Sequence, residues 1–389
     1  MKKEHIGRLL LLSLAFFLSL GTSAAEVSDS VSCRKVLHNL GAGMRPSYIM
    51  SSHGFYNGYN PLGKPLKAGG SVHLQYSFSY PQDDGHAPLW PMTSQGIGLS
   101  LTTLGSHELL GTPLSIYLFQ NVPFIWISGG FTIDYEWNLG LSAGWRTRFE
   151  GEPNGIIGSS ANIFINVAAL ASWHTGAWTF SVGPGYTHFS NGDTTFPNGG
   201  ANTWNIQAGL TRHFGTDAHE VKRPEAPEWI GDIVYDLVLH GAFRADRMLN
   251  DSELVMINRP FAVSGINFNP LYRFNRYLSA GASLDIMYDR SANLILEGPD
   301  DQTFSYPDIS RQLACGISLR GELAMPIFSV NIGAGYNFLH SGTDLKGLYA
   351  MFALKAFTSD KLFIHIGYRL SSVLYAHNLM LGLGWRFGS

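Results

Sequence analysis

The feature that most limits what this chain can fold into is an alternation of side chains with period two, repeated in segments of about ten residues. Between Leu362 and Leu370, the positions Leu362, Ile364, Ile366, Tyr368 and Leu370 fall on one side, and Phe363, His365, Gly367 and Arg369 on the other. That is the period of a strand, whose successive side chains point to opposite faces. The same division separates Leu278, Ala280, Ala282, Leu284, Ile286 and Tyr288 from Ser279, Gly281, Ser283, Asp285 and Asp289, with Met287 the exception. It returns at Leu379, Leu381, Leu383, Trp385 and Phe387 against Asn378, Gly382, Gly384 and Arg386, with Met380 the exception. An apolar face opposite a small or polar one, in strands of this length, suits lipid outside and water inside.

A soluble β-sandwich alternates as well, and composition separates the two. Charged residues make up 14% of the 389, against roughly 25% in a soluble domain, so a water-facing surface of ordinary size would be left uncoated. The 45% hydrophobic content would suit either class; the shortage of charge is what discriminates. The chain closes on Trp385-Arg386-Phe387, followed by Gly388 and Ser389. A terminal amphipathic strand ending in Phe resembles the assembly signal of bacterial outer-membrane proteins. A formal net charge of -3 leaves no basic footprint for nucleic acid.

Lys2, Lys3 and Arg8 precede an apolar run from Leu9 to Leu20, and small residues Gly21-Thr22-Ser23-Ala24-Ala25 follow. Residues 1–25 are therefore expected to be a cleaved secretory signal. No apolar run reaches the roughly 20 residues that a transmembrane helix needs. Cys33 and Cys315 can make at most one bridge.

Marking strands by alternation and turns by Gly, Pro, Asn and Asp predicts about sixteen. They start near residues 36, 71, 95, 113, 131, 161, 178, 203, 233, 261, 277, 311, 327, 348, 361 and 378. The expected fold is all-β, an antiparallel up-and-down outer-membrane barrel over residues 26–389, with both ends on the periplasmic side. Long outer loops then fall at 51–70, 148–160, 189–202, 245–260 and 290–310, opposite tight inner turns, as such barrels prefer. The connections 82–94 and 215–230 are long although counted as periplasmic. The second, containing Lys222-Arg223-Pro224-Glu225-Ala226-Pro227, is where two barrels of about eight strands would separate, with residues 26–214 and 215–389 as the halves. One barrel of sixteen is the preferred expectation.

The sharpest chemical signal lies in the seventh strand. Trp178, Phe180, Val182, Pro184, Tyr186, His188 and Ser190 share its outward face, and Thr179, Ser181, Gly183, Gly185 and Thr187 the inward one. Side chains two apart on a strand are about 7 Å apart at the backbone, within reach for an imidazole and a hydroxyl. Base and nucleophile so placed can perform acyl transfer. An isolated His-x-Ser on a strand is usually decorative, but polar groups facing hydrocarbon are costly, which favours function here.

The stretch Thr187-His188-Phe189-Ser190-Asn191-Gly192, followed by Pro197-Asn198-Gly199-Gly200, resembles the PagL-type lipid A 3-O-deacylases, outer-membrane barrels with a lipid-facing His-x-Ser-Asn motif. The resemblance covers roughly residues 36–214. It implies Ser190 as nucleophile, His188 as general base, lipid A or lipopolysaccharide as substrate among outer-membrane lipid, and no cofactor or metal. The family's Glu, fourteen residues after the His, is here Asn202. An Asn can orient an imidazole but cannot stabilise its cation by charge. Asp193 is the alternative acid, or a turn former. Asn191 and Asn198 are candidates to donate to an oxyanion or position substrate, Asn191 being equally a residue that starts the turn.

Elsewhere, Asp285 and Asp289 with Asp251 and Glu253 read as lumen charge or a cation site, and no Cys or carboxylate cluster has zinc spacing. The stretch Gly54-Phe55-Tyr56-Asn57-Gly58-Tyr59-Asn60-Pro61 reads as an outer loop with girdle aromatics, whose Tyr and Asn residues could equally touch lipid A sugars or be ordinary loop chemistry. A lipid A esterase is thus the leading expectation. A passive pore with a vestigial motif is the second, and a loop-displaying adhesin or anchor the third.

Overall fold

A computed structural model describes residues 37–79, 92–127, 129–214, 229–250, 253–297, 303–325, 328–371 and 375–388. The expected signal peptide, Cys33, and most of the connections 82–94 and 215–230 lie outside them. The first eight long strands are β1 (Leu37–Ile49), β2 (Ala68–Ser79), β3 (Ser94–Thr103), β4 (Gly111–Trp126), β5 (Phe131–Trp145), β6 (Ala161–Thr175), β7 (Trp178–Ser190) and β8 (Ala201–Phe214). The second eight are β9 (Asp232–Asn250), β10 (Glu253–Arg273), β11 (Leu278–Asp289), β12 (Leu313–Ala324), β13 (Phe328–His340), β14 (Gly347–Phe357), β15 (Leu362–Ser371) and β16 (Tyr375–Phe387). The strand starts fall close to those expected from alternation, with the tenth displaced most.

The preferred single barrel of sixteen is corrected: the strands close as two barrels of eight, the alternative arrangement. β1 pairs with β8, Tyr48 opposite Trp204 and Asn39 opposite His213, and β9 pairs with β16, Asp236 opposite Arg386. Each closure removes both sheet edges, so neither half needs the other's strands. Outward faces are apolar as the pattern requires. Leu40, Leu74, Leu99, Ile116, Leu141, Val167, Val182 and Ile206 give one exposed aliphatic side chain to each strand of the first barrel.

An eight-stranded barrel has an interior that side chains can fill, and both lumens are crossed by bonded polar groups. In the first, Arg45 donates to Gln207 Oε1 at 2.8 Å, while Gln207 and Asn138 donate to Glu136 Oε1 at 3.0 and 2.9 Å. In the second, Lys355 and Arg386 both reach Asp236 and Glu322, and Arg320 meets Asp285 at 2.8 Å. Asp285 is therefore a paired lumen charge, and Asp289 pairs with Arg244. Asp251 and the Glu253 side chain are outside the described residues.

Two local expectations are corrected. Most of residues 245–260 continue β9 and β10 instead of forming an outer loop. Phe55 and Tyr56 are not girdle residues, because both are buried. They join Leu109, Tyr117, Trp145, Ile156, Phe164 and Phe189 in an apolar plug. Gly98 sits beside this plug because a Cβ there would come 2.3 Å from the Tyr117 ring.

Candidate active site

β7 alternates as expected: Phe189 is fully buried toward the lumen, against Trp145 and Phe164 at 5.0 and 5.4 Å between ring centroids. The residues flanking it, His188 and Ser190, consequently take the opposite, outward face. The hairpin register sets Asn202 directly across from His188, and Trp204 across from Tyr186. Side chains directly opposite in an antiparallel pair are neighbours on one face. A spacing of fourteen residues is therefore how this hairpin brings the orienting group to the imidazole.

His188 Nδ1 lies 2.6 Å from Asn202 Oδ1. An amide oxygen only accepts, so Nδ1 carries the proton and Nε2 is left as the base. The same oxygen accepts from the Tyr186 hydroxyl at 2.8 Å, and the Asn202 amide nitrogen donates to Ser52 Oγ at 3.3 Å. Tyr186 and Ser52 were not singled out in the sequence. Tyr186 could have been, since it shares the outward face two residues before His188.

Ser190 Oγ accepts from Asn198 Nδ2 at 3.0 Å and from the Gly192 N–H at 3.1 Å. These two donors converge beside the oxygen that would attack. Asn198 Oδ1 in turn accepts from the Asn191 N–H at 3.1 Å, and its Nδ2 also donates to Asp193 Oδ1 at 2.9 Å. The Asn191 side chain does not point its donor at Ser190: Nδ2 donates to Thr195 O at 2.6 Å, the bond of a loop former. Asp193 contacts Asn198, whereas the hydrogen-bond partner of the His188 ring among the described residues is Asn202. The serine hydroxyl is bonded to Asn198 and Gly192, not to the imidazole.

The loop after β7 is held from beneath. Gly158 donates to Pro197 O at 2.7 Å, Gly199 to Ile156 O at 2.9 Å, and the Tyr56 hydroxyl to Gly200 O at 2.6 Å. Burial pushes the Tyr56 phenol above its ordinary range, so it stays a donor. Among the described residues no three His, Cys, Asp or Glu side chains are grouped to hold a metal.

Residues 233–389 match a family model described as acyloxyacyl hydrolase, C-terminal domain. That segment is similar to the C-terminal domain of the acyloxyacyl hydrolases. The PagL-type match coincides with the second barrel, while the motif at His188 and Ser190 lies in the first. No His-x-Ser occurs in residues 233–389, so the outward pair belongs to the half the model does not cover. Among curated proteins no sequence matches. Similar solved structures include an outer membrane channel from Pseudomonas putida F1, 9% identical over 93% of this chain and 100% of that one, with a TM-score of 0.22. Another is the translocator domain of the autotransporter NalP from Neisseria meningitidis, 9% identical over 99% and 98%, with a TM-score of 0.20. Neither superposition equates individual residues.

Proposed function

We propose that the protein is an outer-membrane esterase that hydrolyses an ester-linked acyl chain of lipid A, the 3-O chain in the reading the motif suggests. The observation that carries this is the outward face of β7 and β8, where His188, oriented by Asn202, sits two residues from a serine flanked by two N–H donors. In the reaction Ser190 turns about one bond from Asn198 toward His188 Nε2, which takes its proton as the oxygen attacks the ester carbonyl. The Gly192 N–H and Asn198 Nδ2 then face the developing oxyanion, the kind of donor pair worth orders of magnitude in rate. His188 returns the proton to the departing sugar hydroxyl, and water repeats the sequence on the acyl-enzyme. Serine and histidine supply nucleophile and base, so no cofactor is required. The PagL-type match supports acyl-ester hydrolysis, and the apolar outer faces support an acyl substrate arriving through the leaflet. The pore reading is disfavoured by the ion pairs that cross both lumens and by the aromatic plug of the first.

Mass spectrometry of lipid A from outer membranes with the protein, without it, and with Ser190→Ala tests this. The expected result is loss of one hydroxyacyl mass only when Ser190 is intact. An unchanged spectrum from a folded barrel, or activity retained by Ser190→Ala, refutes it.

A further inference from the structure

The rung of the hairpin next to His188 and Asn202, on the same outward face, is Tyr186 opposite Trp204. Their rings meet edge to face, with centroids 5.3 Å apart. That packing holds a phenol beside the amide, and diagonal neighbours across a strand pair are within reach of an aromatic side chain. The Tyr186 hydroxyl donates to Asn202 Oδ1 at 2.8 Å, and His188 Nδ1 donates to the same oxygen at 2.6 Å. Both lone pairs of that oxygen are therefore taken. An amide keeps almost the same shape when its oxygen and nitrogen exchange places, but the two ends do opposite things. With the amide reversed, Nδ2 would donate to His188 Nδ1 and the ring proton would move to Nε2, the tautomer that free histidine itself prefers. Nothing on the imidazole would then accept a proton from Ser190. A carboxylate has two equivalent oxygens and no such wrong face, so an Asn at this position orients the base only where something selects its direction.

Building on the proposed function, we infer that Tyr186 is a positioning residue whose hydroxyl selects the amide orientation of Asn202 and, through it, the proton-accepting tautomer of His188. Conjugation with the ring makes a phenol a better donor than acceptor, so it favours the amide oxygen over the amide nitrogen. The nitrogen is turned to the other side, where it donates to Ser52 Oγ at 3.3 Å. Tyr186 itself moves no proton in the reaction; it acts on the base through one intervening side chain.

The test uses the full-length protein, labelled with nitrogen-15 histidine and folded in detergent micelles, with His188→Gln identifying the His188 signals and circular dichroism checking the fold. Nitrogen chemical shifts report which ring nitrogen carries the proton, in alkaline buffer where imidazoles are neutral. The parent protein is expected to show Nδ1–H. Tyr186→Phe deletes one oxygen atom and leaves the ring against Trp204; it is expected to move most of His188 to Nε2–H. In vesicles containing lipopolysaccharide, the same variant is expected to lower kcat for fatty-acid release about fivefold with KM unchanged, the weight of one hydrogen bond. Asn202→Asp removes the choice of orientation. Tyr186→Phe added to it is expected to keep Nδ1–H and to change kcat by less than about twofold, because the path through the amide is gone. Nδ1–H retained in Tyr186→Phe overturns the inference, and so does Nε2–H in the double variant, which would mean that the phenol acts by packing and not through the amide. Ser190→Ala run alongside separates the two claims. Fatty-acid release retained there sinks the esterase reading and leaves the tautomer result to stand by itself, whereas release lost there with an unaltered tautomer in Tyr186→Phe sinks only the role of Tyr186.

Discussion

The amide of Asn202 fixes the tautomer of His188 but, in the proposed reaction, would bring no charge to the imidazolium formed as Ser190 loses its proton. A carboxylate at this position would accept from the same two donors, His188 Nδ1 and the Tyr186 hydroxyl, and would stabilise that cation. Asn202→Glu is accordingly expected to raise kcat about tenfold, roughly 1.4 kcal/mol of transition-state stabilisation, measured by fatty-acid release from lipopolysaccharide vesicles. A rate at or below that of the parent would show that the cation is not what limits the reaction. The shared outward face of His188 and Ser190 was legible in the sequence because face is a local property of one strand, whereas Asn202 was reached only through the family resemblance. The turn of Asn198 toward Ser190, and of Asn191 away from it, was not legible, because side-chain amides choose partners only once the loop is folded.

The β7–β8 hairpin turns His188 and Ser190 outward because Phe189 is anchored inward. Phe189→Ala removes a ring packed against Trp145 and Phe164 and is expected to cost about 3–5 kcal/mol, as large core truncations do. Val182→Ala, on the lipid face of the same strand, loses no such packing and serves as the reference in urea unfolding. Equal midpoints for the two would contradict the plug. Alternation revealed nearly every strand because lipid on one side and lumen on the other impose opposite chemistry on successive residues. It failed for residues 245–260, where the chain carries Asp246, Arg247, Asn250, Glu253 and Arg259. Little there distinguishes one face from the other, and the segment reads as a loop. Phe55 and Tyr56 misled for a related reason, since an aromatic side chain in a loop can face a membrane or fold back into a barrel mouth.

At the scale of the molecule, closure was the part the sequence left open. Whether β8 returns to β1 or continues into β9 depends on pairing between residues more than 150 apart, and both outcomes have the same local pattern. Two closures of eight strands leave interiors narrow enough for Arg45, Glu136, Lys355 and Glu322 to bridge. The protein is expected to give no conductance steps in planar bilayers, whereas steps of stable size would mean that these bridges do not seal the lumens. The two barrels meet near Trp137 and Phe328, with ring centroids 5.6 Å apart, and again at Asp193 and Ala245. The outward placement of His188 and Ser190 has a kinetic consequence. If the proposed esterase reading holds, a site on the barrel wall would meet its substrate by diffusion in two dimensions, so the governing concentration would be the mole fraction of acylated lipid in the surface, not its amount per volume. Diluting the vesicles with buffer would then leave turnover untouched, and diluting them with inert phospholipid would slow it.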